Sequence, residues 1–251
     1  MTVDIWAACR TGARPRTLGG EILRLVESQE QVATSRLVAT LAEQELLEAM
    51  IEASKPRSLT PAPGLHYLLT TPFRYPPLRY GSRFGGRHEP SLFYGSRGLR
   101  TVLAESAYYR FVFWQGMSEP PQAPLRIRHT LFGARLRARR AYRLQLAPFD
   151  SHRSVLACRD DYQPTQRLGH ALREAGADAI EYASARDAEG GLNVALFAPS
   201  AFASPRPSFQ QEWLSETRPD QVSFYARPEA GLQSFPLSQF TIEGRLPMPA
   251  T

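Results

Sequence analysis

From Leu99 to Met117 the chain is apolar nearly all round, with Val102, Leu103, Ala107, Phe111, Val112, Phe113 and Trp114 on successive turns, before Gly116 and the Pro120-Pro121 pair stop it. A helix of that composition is predicted to be buried, so the rest of the chain has to cover it. With 251 residues, 43% of them apolar, there is enough material for one large domain, or a medium domain with an extension. Glu105 stands in the first turns of this helix among apolar and small neighbours. A carboxylate there is costly unless paired, and the arginines just upstream are its expected partners. Two readings stay open: a core salt bridge, or a carboxylate facing a cation that forms during reaction, such as the oxocarbenium ion of glycosidic cleavage.

The upstream arginines lie in the stretch Arg74 to Arg87, which interleaves them with Tyr75, Tyr80, Phe84 and the glycines Gly81, Gly85 and Gly86; Leu92-Phe93-Tyr94-Gly95-Ser96 follows. Guanidinium forks bind phosphate oxygens bidentately, glycines admit a close ligand, and rings stack on flat heterocycles. A nucleotide needs all three. The segment is neither a P-loop nor a dinucleotide fingerprint, because it has no Gly-Lys-Ser/Thr ending and opens no helix.

The remaining pattern divides at about residue 65. Ile22, Leu25, Val26, Val32, Leu37, Leu41, Leu46, Leu47 and Met50 recur at three and four, which predicts helix from Leu18 to Ser54, closed by Pro56 and the run Ser58 to Gly64. Residues 1–65 are therefore expected to be an N-terminal helical extension, and 66–251 the main domain. In that domain Tyr67 to Thr71, Ser91 to Tyr94, Leu125 to Leu131, Tyr142 to Leu146, Ala179 to Tyr182, Leu192 to Phe197 and Val222 to Ala226 are predicted strands, and Pro164 to Ala175 a helix. Ser184 to Gly191 is a predicted polar turn, and the tail beyond Gly244 is expected to be loose. The fold class is α+β.

Charge and targeting signals narrow the class. The net charge is +6 and Lys55 is the only lysine; the basic run Arg135 to Arg140 reads as a solvated turn between strands. Cys9, Cys158 and the five histidines have no metal or disulfide spacing. No apolar run reaches the roughly 18 residues of a spanning helix, and the first residues carry no secretory signal, so a cytoplasmic protein is expected.

Arg74 with GSRFGGR, then LFYGS, RTVLAESAYYR and GADAIEYASARDAEGGLNVALF, in that order over roughly residues 66 to 200, closely resembles the RES domain family. The resemblance implies a compact mixed-sheet core with flanking helices, similar to ADP-ribosyltransferase toxins, and an enzyme of a type II toxin–antitoxin pair that consumes NAD. It implies cleavage of the nicotinamide–ribose bond by phosphorolysis with inorganic phosphate, or hydrolysis, with mono-ADP-ribosylation of a protein as the alternative. It implies an Xre-like antitoxin as partner and no cofactor, metal or membrane; nucleic acid enters only through the antitoxin. By position, Arg74 and Arg87 are expected to hold phosphates, Tyr94 to meet nicotinamide, Glu105 to stabilise the cationic ribose, and Ser184 to orient the substrate, with Arg83 and Asn193 in support. His88-Glu89 departs from the Trp-Asn that many members carry there. A non-catalytic nucleotide or nucleic-acid binding module, and a degenerate toxin that only binds its partner, are the rival readings.

Overall fold

The computed structural model describes residues 3–28, 38–54, 62–77, 79–227 and 231–248. The elements are α1 (Ile5–Cys9), β1 (Arg16–Glu27), α2 (Leu41–Ser54), α3 (Tyr67–Arg74), β2 (Phe93–Ser96), α4 (Leu99–Gln115), β3 (Leu125–Arg143), α5 (Arg153–Leu156), α6 (Gln163–Glu174), β4 (Ala179–Ala183), β5 (Leu192–Leu196), β6 (Gln210–Thr217), β7 (Gln221–Ala226) and β8 (Gly231–Pro236). The strands form one mixed sheet in the order β1-β2-β5-β4-β3-β6-β7-β8, and β3–β4 is its parallel pair. Because β1 also pairs along β3, from Arg16↔Ala141 to Glu27↔His129, the five strands β1, β2, β5, β4 and β3 close on themselves, while β6, β7 and β8 continue outward from β3. The architecture is the expected α+β class, a mixed sheet with flanking helices.

Three apolar clusters hold these layers. One joins Phe84, Leu168 and Leu172 to Tyr142, Ile180 and Tyr182 beneath α1 and α6. A second packs Leu68, Leu69 and Phe73 of α3 on Ile22, Phe93, Phe132 and Val194. The third seats α4, through Val102, Leu103, Ala107 and Phe111, on Leu131, Trp213, Val222, Phe224 and Phe235. Each fully buried Leu or Phe there contributes roughly 1.5–3 kcal/mol, so the sheet fixes the position of α4 and of Glu105 on it. Among the described residues no helix is long and apolar enough to cross a membrane.

Several local expectations are corrected. Residues 16–27 are a strand of the central sheet, not part of a helical extension. Leu18 and Ile22 are both buried, and a spacing of four serves a strand face as well as a helix face. α2 is helical as expected, whereas residues 29–37 and the Pro56 to Pro61 part of the expected boundary lie outside the described residues. Tyr67 to Thr71 is helix α3 rather than a strand: burial of Leu68, Leu69 and Phe73 against one core overrides the β-leaning composition. Arg135 to Arg140 is no turn; it lies inside the 19-residue β3, with Leu136 and Ala138 pointing inward. The strands β6 and β8 carry too little apolar alternation to stand out in the sequence. The tail is not loose at its start, since Leu246 is buried and the Tyr108 hydroxyl donates to the Pro247 carbonyl at 2.6 Å.

Candidate active site

Glu105 opens onto a cavity of about 440 Å³ whose walls include Arg24, Tyr75, Ser82, Arg83, Tyr94, Ser96, Tyr109, Tyr162, Tyr182 and Asn193. That volume is in the ordinary range for a small-molecule site. The carboxylate is held from the far side by two neutral donors: Ser184 Oγ and Asn193 Nδ2 each lie 2.6 Å from Oε1. The expected arginine partner makes no direct ion pair: Arg83 lines the same cavity and acts on Glu105 only through space. Among the described residues no cation pairs with Glu105, and Oε2 has no protein donor.

The two donors are themselves locked. Ser184 Oγ accepts from the backbone N–H groups of Arg186 and Asp187 at 3.1 and 3.0 Å, so its own proton is committed to Glu105. That pattern, a hydroxyl fixed by two backbone donors and giving its own proton to Glu105, serves positioning of the carboxylate. Asn193 accepts from Ser96 Oγ at 2.7 Å, which orients its amide toward Glu105. The loop carrying Ser184 is far from an ordinary hairpin turn. Arg186 is buried with its guanidinium 3.6 Å from the Tyr108 ring centroid, and Asp187 accepts from Thr101 Oγ1 on α4 at 2.8 Å. Gly191 approaches Thr101 so closely that a Cβ would overlap its hydroxyl.

The glycine and arginine segment forms the opposite wall. Gly81, at φ +75°, has no room for a Cβ against the Gly85 carbonyl, so the loop closes tightly on itself. Gln166 Nε2 on α6 holds its Tyr80 and Ser82 carbonyls at 2.9 and 3.0 Å. Glu89, at the departure from the family pattern, accepts from the Gly86 N–H at 2.6 Å and meets His170 at 2.8 Å, which ties the loop to α6.

Arg83 lines the cavity. Its Nη1 donates to the Leu156 and Cys158 carbonyls at 3.1 and 2.9 Å, and its plane lies 4.4 Å from the Tyr162 ring centroid. Burial pulls its pKa down, but Tyr162, Tyr182, Glu105 and Tyr109 together more than offset that, so it stays charged. Tyr94 lies 2.8 Å from Ser82 Oγ and accepts from the Phe84 N–H at 3.1 Å; burial pushes its phenol up to about 12, so it is protonated at neutral pH.

The structure therefore brings Glu105, Ser184, Asn193, Tyr94 and Arg83 together, and does not bring in Arg74 or Arg87. Arg74 ends α3 with its Nη1 2.9 Å from Glu52 of α2, and Arg87 is exposed on the outside of the loop. Arg24 on β1 is the cavity cation that sequence reading missed. Its Nη1 donates to the Tyr94 carbonyl at 2.6 Å, its plane lies 5.0 Å from the Phe93 ring centroid, and its Nε is buried without an acceptor. Burial lowers its pKa to about 10, which still leaves it a cation at neutral pH. The misreading of 16–27 as helix hid it; read as a strand, Arg24 falls on the same side of the barrel mouth as the Tyr94 backbone.

The sequence model of the RES domain matches residues 57–217, well over half of the chain and the whole span from α3 to β6. The chain belongs to the RES domain family. Glu105, Ser184, Asn193, Arg83 and Tyr94 all lie within the RES match, and Arg24 lies before it. No curated protein sequence matches this chain. Among solved structures, a chain of the M. tuberculosis MbcT-MbcA toxin-antitoxin complex aligns over 86% of this chain and 93% of its own, with 8% identity and a TM-score of 0.45. A likeness that distant transfers no residue or activity.

Proposed function

We propose that this RES domain cleaves the bond between nicotinamide and ribose in NAD and passes the ADP-ribosyl group to inorganic phosphate. The observation that carries the reading is the carboxylate of Glu105, fixed in a cavity by neutral hydroxyl and amide donors with, among the described residues, no cation at salt-bridge distance, Arg83 acting on it only across the cavity. A negative charge so arranged is left for a positive charge in the ligand, and it is preorganised where one develops.

In this reading the C1′–N bond breaks with its electron pair passing to the pyridinium ring, so nicotinamide leaves neutral and the ribose becomes an oxocarbenium ion. Glu105 stabilises that cation. A phosphate oxygen then forms the new bond at that same anomeric carbon, giving ADP-ribose phosphorylated where nicotinamide was attached. Arg24 and Arg83, rather than Arg74 and Arg87, are the cations we assign to phosphate oxygens, because they line the cavity. The rings of Tyr94, Tyr109 and Tyr182 bound the space for the flat base. The polar work is positioning and electrostatic, and needs no general base on the serine.

We further assign the protein to a toxin–antitoxin pair with an Xre-like antitoxin, acting in the cytoplasm, on the strength of its family. Incubation with NAD and phosphate, followed by ³¹P NMR for the sugar phosphate and ¹H NMR for nicotinamide, tests the reaction: the two are expected in equal amounts. ADP-ribose alone would assign water as acceptor. Label from adenine-labelled NAD retained on protein would assign ADP-ribosylation, a reading favoured by the exposure of Tyr75 and Tyr109 at the cavity rim. Absence of nicotinamide in all cases would overturn the proposal.

A further inference from the structure

The basic run in β3 faces away from the Glu105 cavity and has its own geometry. Leu136 and Ala138 point inward, and Arg135 and Arg137 alternate outward. Pairing with β1 then slips from Leu18↔Ala138 to Arg16↔Ala141, which places one extra residue on β3 and turns Arg139 and Arg140 outward together. Asp178 fixes this bulge by accepting from both their backbone N–H groups at 2.8 and 2.9 Å. The Arg140 side chain is spent on the Ala175 and Gly176 carbonyls at the end of α6.

Arg135, Arg137 and Arg139 are exposed, and among the described residues none has a carboxylate or hydrogen-bond partner for its guanidinium. A strand rises about 3.3 Å per residue, so the Arg135 and Arg137 stems stand about 6.6 Å apart, with Arg139 following on the bulge.

Beside this row the surface is hollow. Gly19 and Gly20 on β1, with Thr17, Glu21, Arg135, Arg137 and Ala203, line an open groove of about 640 Å³. The groove's carboxylate, Glu21, accepts from Ser208. At the end of the row the Phe209 ring lies against Gly133, where a side chain would collide with it, and it is 39% exposed. Gly133, Arg135 and Arg137 share one strand face. The surface thus combines a ladder of unpaired guanidinium groups, a concave floor and an exposed ring at one end.

We infer that this groove binds single-stranded nucleic acid, with Arg135, Arg137 and Arg139 on successive backbone phosphates and Phe209 stacked on a base. The ring decides for a single strand, because a duplex keeps its bases stacked on each other and an acidic peptide offers no flat face. The inference is independent of NAD cleavage, whose cavity uses other residues.

Fluorescence anisotropy of a labelled 12-nucleotide oligothymidylate or oligouridylate with the full chain tests it. Three phosphate contacts give a slope of about −2 in log K against log salt, so affinity is expected to fall about 15-fold between 50 and 200 mM salt. The triple substitution R135Q/R137Q/R139Q is expected to abolish that binding, and Phe209→Ala to weaken it about tenfold. Each single Arg→Gln should lower the slope by about 0.7, a readout that survives if the triple variant folds poorly. No binding by the wild type at 50 mM salt, or unchanged binding by the arginine variants, overturns the inference. Equal affinity for a duplex of the same length, or displacement by a polyglutamate peptide at lower concentration than by the oligonucleotide, overturns the single-strand assignment.

Discussion

Glu105 on α4 and Glu181 on β4 are two carboxylates whose surroundings differ in kind. Glu181 on β4 is buried with Arg97 Nε at 2.9 Å on one oxygen, and Gln145 at 2.9 Å and Arg143 at 3.5 Å on the other. Its charge is neutralised within the fold. Glu105 receives hydrogen bonds from a serine and an asparagine and, among the described residues, has no cation at salt-bridge distance, with Arg83 acting on it only across the cavity. The chain has 30 basic residues, so the absence of one at Glu105 is a placement rather than a shortage. A carboxylate ion-paired to arginines holds strands together; one bonded only to dipoles, with its nearest interacting guanidinium across the cavity, leaves most of its field for something that is not part of the protein.

The largest break in this comparison comes from exchanging each carboxylate for its amide. Glu105→Gln is expected to lower the rate of nicotinamide release by about 10²–10³-fold, the usual cost of losing one preorganised electrostatic group, with little change in melting temperature. Glu181→Gln is expected to do the reverse, lowering stability by about 1–3 kcal/mol in urea titration while folded protein keeps its turnover, because Arg97 and Arg143 lose their partner in a half-exposed setting. Equal effects of the two substitutions on turnover would erase the distinction.

Acid unfolding must be separated from loss of the Glu105 charge, and His129 contributes to it. Burial, then Arg110, lowers its pKa to about 4, and it contacts Ser215 Oγ at 2.7 Å. The unfolded chain takes up a proton below about pH 6.5 whereas the folded one resists until about pH 4, so stability falls as pH drops through that window. The full loss is roughly 3 kcal/mol. Melts of His129→Gln between pH 7 and 4 should show a shallower decline than wild type.

Smaller effects sharpen the picture around the substrate. Arg24→Ala should raise KM for NAD by about 10-fold or more with a lesser change in kcat, and Arg24→Lys should recover part of it, as expected for a charged hydrogen bond to phosphate. Ser184→Ala and Asn193→Ala should each lower kcat about 5–10-fold, and the double variant by less than the product, since both donors act on the same oxygen.

How much of this was legible in the sequence follows from which patterns are unambiguous. The helix α4 was legible because an apolar stretch bounded by Gly116 and prolines has few other solutions, although it is buried on one side only and leaves Tyr109 and Phe113 exposed. The motif order placed Glu105, Ser184 and Asn193, residues 79 and 88 positions apart from Glu105 in the chain, at one point in space. The strand β1 was not legible: Leu18 and Ile22 fit either period, and its pairing with β3 is a contact more than 100 residues distant. With β1 misread, Arg24 had no reason to be near Tyr94. The sequence ranks Arg74 and Arg87 above Arg83 as phosphate ligands, and only the closed loop around Gly81 shows that Arg83 is the one lining the cavity.

The most direct test of the uncompensated carboxylate is calorimetric titration with a ribose mimic whose ring carries a positively charged nitrogen, beside its neutral carbon isostere. Wild-type protein is expected to bind the cationic compound about 10²-fold more tightly than the neutral one, and Glu105→Gln to bind the two alike. Equal affinity of the wild type for both would contradict the role assigned to Glu105.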